Sequence, residues 1–145
     1  MGNNYPDPWN FSNTDKNLVS PNGKYKVEFG DLHEIAMGAP ISGKSFLILG
    51  DKRIKLNDQT GGPIIWNESS DKVAMPVWGK DRLQRILVAD ITNLSIAVFE
   101  RKFRVLQFKK FDADILSGID SPIYMTTDFH FDLNNEKIDR IEQLG

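Results

Sequence analysis

"PIIWNESSDKVAMPVWGKDRLQRILVADI", residues 63–91, sets an aromatic-ended apolar run, a polar turn and two further apolar runs within twenty-nine residues. The runs are short, rich in Val, Ile and Trp, and bounded by the turn formers "NESSD" and "WGKD", which marks strands rather than helices. No side chain in the stretch belongs to a recognisable catalytic signature. It is expected to support a surface rather than to perform chemistry itself.

Outward from this stretch the same pattern repeats. "KYKVEF" alternates Tyr25, Val27 and Phe29 against Lys24, Lys26 and Glu28, the period of a half-buried strand. It is entered by "SPNG", whose Asn22 and Gly23 tolerate positive φ. "HEIAM", "SFLIL", "RIKL", "SIAVFE", "FRVLQF", "IYMT" and "FHFDL" supply the remaining strands, separated by turn formers such as "NDQTGG" and "LNNEK". The expected fold is all-β: about ten antiparallel strands in two blade-like meander sheets, sandwich-like or an incomplete propeller. At the C-terminus, "FHFDLNNEKIDRIEQ" is read as a hairpin turning at Asn134 and Asn135. The spacing of Ile138, Ile141 and Leu144 leaves a terminal helical turn as the alternative.

Laid against itself at an offset of 48, the chain brings Lys24 of "SPNGKYKVEF" onto Lys72 of "ESSDKVAMPVW", and "FLILGD" beside "SIAVFE". This period lies in the range of propeller blades. Over Ser20 to Phe108 the chain resembles the blades of TolB and WD40-like propeller repeats, in which a turn such as S-P-D-G-K opens the first strand of a blade. Trp66 precedes its turn as in those blades, whereas Val19 holds the corresponding place before "SPNG". Propellers close with about four blades or more, and 145 residues supply three at most. Two meanders packed face to face, so that both apolar faces are hidden, are what remains.

A chain of 145 residues is the size of one domain. Within residues 1–145, residues 1–19 read as an irregular arm pinned by Trp9 and Phe11, 20–66 as the first meander, 67–111 as the second, and 112–145 as an acidic C-terminal segment. Hydrophobic residues make up 40% and charged residues 26%, values of a folded globular chain. No apolar window is long enough to span a membrane and the N-terminus has neither a basic start nor an apolar core, so a cytoplasmic protein is expected. The absence of cysteine excludes disulfides, thiolate nucleophiles and cysteine-ligated metals. Net charge is only −2, but residues 111–145 hold eight acids against Lys137 and Arg140, while the first 110 hold 16 bases against 12 acids. An acidic terminal quarter suits a basic partner, or is simply a solvated face.

Candidate chemistry is sparse. His33 lies beside Asp31 and Glu34; His130 lies between Phe129 and Phe131, sharing the solvated strand face with Asp132. "GAPISGKS" has the Walker A spacing at Gly38, Gly43, Lys44 and Ser45, yet the next residues, "FLILGDKRIKL", read as strand where a phosphate loop needs a helix. Carboxylate pairs drawn from Asp31, Glu34, Glu68 and Asp71 carry no signal, and without an oxygen-rich calcium loop no metal or cofactor is expected. The basic run "ERKFRVLQFKKFD" interleaves charge and Phe103, Phe108 and Phe111 as single-strand binders do. The sequence pI near 5.7 argues against nucleic acid, and edge-strand protection explains the same lysines.

The expected function is therefore binding without catalysis. In size, charge layout and lack of motifs the chain is similar in type to small stand-alone bacterial immunity proteins, which implies a protein that neutralises a toxin domain by covering its active site. The partner would be a basic toxin domain, met by Asp112, Asp114, Tyr124, Asp128 and Asp132. The alternatives are a propeller-like scaffold subunit completed by oligomerisation, and a nucleotide-binding enzyme using Gly38 to Ser45.

Overall fold

The computed structural model describes residues 6–144; residues 1–5 of the expected arm and residue 145 lie outside them. Among the described residues the chain forms eleven strands and one short 3₁₀ turn, Lys16–Leu18. The strands are β1 (Tyr25–Glu34), β2 (Ile41–Leu49), β3 (Lys52–Thr60), β4 (Ile65–Trp66), β5 (Lys72–Trp78), β6 (Gln84–Asp90), β7 (Ser95–Phe99), β8 (Leu106–Asp112), β9 (Ile115–Asp120), β10 (Thr127–Asp132) and β11 (Ile138–Gln143). Eight of them form one sheet in the order β1-β2-β3-β5-β6-β7-β11, with β4 pairing β5 off that path. The other three form a second sheet in the order β10-β9-β8. All pairings are antiparallel.

The continuous apolar runs of residues 63–91 have a direct physical cause. β5 and β6 are covered on both faces, so neither strand needs a polar side. Val73, Met75 and Val77 of β5 and Leu87 and Ala89 of β6 fill one core with Val27, Phe29, Leu47 and Leu56 of β1–β3. The alternate residues Ala74, Ile86 and Val88 fill a second core with Phe111, Leu116, Phe129 and Phe131 of the three-stranded sheet. The result is three layers, with β5–β7 in the middle. β1–β3 and β5–β7 belong to one sheet yet share a core because the sheet folds over between β3 and β5, which meet at Thr60 opposite Val77. Pro76 lies in the gap where β5 changes neighbour from β4 to β3, so its missing N–H breaks no ladder there.

The N-terminal arm closes the outer edge of β1. Asn13 donates from Nδ2 to the Phe29 carbonyl at 2.8 Å and accepts from the Phe29 N–H at 2.7 Å. Val19 bridges to Lys26, and Phe11 is buried against Phe29 with ring centroids 5.0 Å apart. Asn13→Ala removes both bonds and re-exposes the edge. It is expected to lower stability by about 1–2 kcal/mol, read as a fall in the urea midpoint at constant m.

The two turns equated by the offset of 48 lie side by side. The Asn22 N–H donates to Ser70 Oγ at 2.9 Å and Trp66 Nε1 donates to the Leu18 carbonyl at 3.0 Å. Three strand pairings and bounds differ from the sequence expectation. "HEIAM" is the end of β1, continued past a bulge between Gly30 and His33, and then the turn into β2. β8 leaves the second meander and pairs with β9 in the third layer. The strands flanking Asn134 and Asn135 form as read, but β10 pairs β9 and β11 pairs β7, so the expected C-terminal hairpin is not made. The cause is core allegiance: Phe129 and Phe131 of β10 belong to the second core, whereas Leu144, just after β11, packs on the first. No helix among the described residues is long and apolar enough to cross a membrane.

Candidate functional site

Connections from all three layers gather at one end of the molecule: the β1–β2 turn, the β5–β6 turn, the β7–β8 link and the β9–β10 loop. Three hollows run into one another between them. The first, about 320 Å³, is lined by His33, Gln59 and Lys80 and shares Ile35, Trp78 and Arg82 with the second, about 450 Å³. The second shares Arg104 and Val105 with the third, about 200 Å³, which Trp9, Pro122, Ile123 and Tyr124 complete. Trp78 forms the common floor of the first two. Its indole Nε1 is turned inward beside Gly61, where an added Cβ would lie 3.3 Å from it and 2.9 Å from Gln84 Nε2. A side chain at residue 61 would lift the floor.

The outer wall is an apolar ridge. Ile123, Tyr124 and Met125 are 75%, 73% and 66% exposed in succession, and Met37 across the groove is fully exposed. Three adjacent apolar side chains in water are the kind of surface that marks an interaction site. The sequence expectation made "IYMT" a strand; the structure makes it loop, because Ser121 before the ridge and Met125 at its end take left-handed φ of 60° and 54°. The base of the loop is held firmly. The Ser121 N–H donates to the Val105 carbonyl at 2.9 Å and Thr126 Oγ1 donates to the Ser121 carbonyl at 2.9 Å. Asp120 Oδ1 accepts from the N–H groups of Arg104 and Val105 at 2.9 and 3.1 Å.

Three basic side chains around the groove are unpaired among the described residues. Lys80, Arg82 and Arg104 are exposed and none forms an ion pair among the described residues. Asp81, in the same β5–β6 turn, is already neutralised. It accepts from the Leu83 N–H at 3.1 Å and lies 3.0 Å from Lys102 and 3.7 Å from Arg85. The Leu83 N–H, then Lys102 and Arg85, hold its carboxyl below the ordinary 3.8. A depressed folded value means that its hold on the turn is complete above 3.8 and is lost as pH falls through the lowered value. In an NMR titration the Leu83 amide is expected to shift with a midpoint below 3.8.

The expected partner-binding residues divide between two ends. Tyr124 is on the ridge and Asp128, exposed and without a hydrogen bond or ion pair among the described residues, follows it at the start of β10. Asp112, Asp114 and Asp132 stand at the other end of the three-stranded sheet, where Asp112 and Asp132 both lie opposite Ile115. Four residues of β9 separate that row from Ile119, opposite Asp128, a span of about 13 Å at strand rise. Each of these three acids has a partner within the molecule. Asp132 accepts from the Asn134 N–H at 2.9 Å and from Asn135 Nδ2 at 3.1 Å. Asp114 accepts from Asn134 Nδ2 at 3.2 Å and lies 3.7 Å from Lys72, while Asp112 lies 3.7 Å from Lys110.

Gly43 and Ser45 of the Walker-like spacing are inside β2, followed by strand and not by a helix. Ser45 Oγ bonds Thr60 Oγ1 at 2.7 Å in the buried interior, and a side chain at residue 43 would meet the Gly30 carbonyl at 2.6 Å. His33 lines the groove with Nδ1 2.7 Å from the Asp31 carbonyl. His130 points to solvent between buried Phe129 and Phe131. Comparison with protein-family models, curated proteins and solved structures returns no match.

Proposed function

We propose that the chain is a non-enzymatic protein-binding module, and in its specific form an immunity-type protein that neutralises a cognate toxin domain by covering its active site. The observation that supports this most is the ridge: consecutive Ile123, Tyr124 and Met125 held in water at the mouth of an apolar groove. Aromatic and aliphatic anchors on a rigid base lose little entropy on docking, so most of the contact energy is retained. In this arrangement the ridge enters the partner's cleft, Asp128 meets basic side chains there, and Lys80, Arg82 and Arg104 meet acidic groups at its rim. Such complementary charge accelerates encounter and suppresses wrong partners.

The deciding experiment is to look for a toxin gene adjacent to the gene for this chain and to co-express its toxin domain with the chain. The absence of such a gene overturns the immunity form. Restored growth together with a co-purifying complex supports the proposal. Unrelieved toxicity with no complex overturns the immunity form.

A further inference from the structure

The two sheets end in four outer strands, and β3 adds a fifth edge because it meets β5 only at Thr60; an unprotected edge strand is a template for another chain. Four edges are guarded. β3 carries exposed Lys52, Arg53 and Lys55 along its open side and pairs β2 irregularly. β1 is covered by the arm, through Asn13 on Phe29 and the bridge from Val19 to Lys26. β10 is crossed by Arg101, whose Nη1 donates to the His130 carbonyl at 3.1 Å. β8 is interrupted by a bulge between Phe108 and Lys110 and carries exposed Lys109 and Lys110. β11 is different. It pairs β7 on one side, nothing among the described residues pairs its other side, and all six of its residues are exposed.

We infer that β11 pairs with β11 of a second copy of this chain, antiparallel and centred on Ile141. The order of side chains selects both partner and register. A bulge between Ile138 and Arg140 disturbs the start of the strand, so the regular part runs from Arg140 onward. With Ile141 opposite Ile141, a residue that is 62% exposed in one copy gains an apolar neighbour. Arg140 then faces the partner's Glu142, and Glu142 faces the partner's Arg140. Arg140 and Glu142 already pair along their own strand, so the dimer closes a square of four alternating charges. Moving the two-fold axis by one residue either way sets Arg140 against Arg140 or Glu142 against Glu142. Directly opposed residues interact strongly enough to disfavour like charges, so the Ile141 register stands apart from its neighbours. A two-fold axis through one residue also makes the contact self-limiting, because each copy has one such edge. No residue of the ridge or the groove belongs to β11, so this contact is independent of the proposed partner binding.

An interface of one short strand falls in the small, transient class, and the dimer is expected to form on concentration and dissociate on dilution. Sedimentation velocity between about 10 μM and about 1 mM covers that range and is expected to show a monomer–dimer equilibrium. Ile141→Lys is expected to abolish the dimer. Arg140→Glu is expected to weaken it, and Arg140→Glu combined with Glu142→Arg to restore it. Since the chain has no cysteine, register is read by single cysteines. Ile141→Cys oxidises to a covalent dimer, whereas Ile138→Cys does not, its two copies standing about 20 Å apart along the strands. Far-UV circular dichroism confirms that each variant is folded. A monomer throughout the range, or cross-linking at residue 138 as fast as at residue 141, overturns the inference.

Discussion

Replacing Ile123 and Tyr124 together by alanine is expected to weaken binding to the cognate toxin domain at least a hundredfold, measured by isothermal titration calorimetry. Interface anchors of this kind contribute about 2 kcal/mol or more each on truncation, and each 1.4 kcal/mol is about tenfold. The loss is expected to come without loss of fold. Both side chains stand in water, 75% and 73% exposed, so their removal leaves no cavity and exposed substitutions stay within about 0.5 kcal/mol. The control sits at the other end of the three-stranded sheet. Asp112→Asn with Asp132→Asn is expected to change the association rate only a few-fold at low salt, because rim charge governs encounter more than residence. The reverse ranking, with the acids decisive and the ridge neutral, would move the interface to the far end and sink the ridge as anchor.

The strands of the middle layer were legible because burial on both faces writes itself as an uninterrupted apolar run. "KVAMPVW" and "RILVADI" could hardly be anything else. "KYKVEF" was legible for the complementary reason, since one face of β1 is only partly covered and the alternation survives. The ridge was not. "IYMT" has a strand's composition, and β-propensity measures fit to a half-buried surface rather than a backbone preference, so it cannot separate a strand from an exposed apolar loop. The break at "SP" just before it was the available signal: Ser121 turns the chain in a left-handed conformation and Pro122 comes next. Charge counting cannot say which acids of the C-terminal quarter are free, for a related reason. A sequence gives the number of carboxylates but not which are already spent. Asp120 holds two N–H groups at the base of the ridge, Asp132 is committed to the two asparagines after it, and Glu136 lies 3.1 Å from Arg101. The unpaired basic side chains of the groove were equally hidden, because Lys80, Arg82 and Arg104 come from two separate connections that only the folding of the sheet brings together.

The largest effect on stability is expected from Phe131→Ala. Phe131 has no exposed surface, meets Phe99 edge-on with centroids 5.1 Å apart, lies 6.2 Å from Phe103, and stands opposite Leu116 in its own sheet. Removing it leaves a cavity between the middle and third layers, and substitutions of this kind cost about 3–5 kcal/mol. That is a large share of the roughly 5–15 kcal/mol by which a domain of this size is stable. The form of the transition is as informative as its midpoint. β5 and β6 send alternate residues into both cores, so Ala74, Ile86 and Val88 under the third layer sit on the strands whose Val73, Met75 and Leu87 hold the first. A loss at Phe131 should therefore be felt by the whole molecule, lowering the urea midpoint of one transition while m stays constant. Should the variant instead unfold in two steps, with the three-stranded layer melting first, the layers would be separate cooperative units. The shared middle strands would then not couple them, and the ridge would stand on the weaker unit.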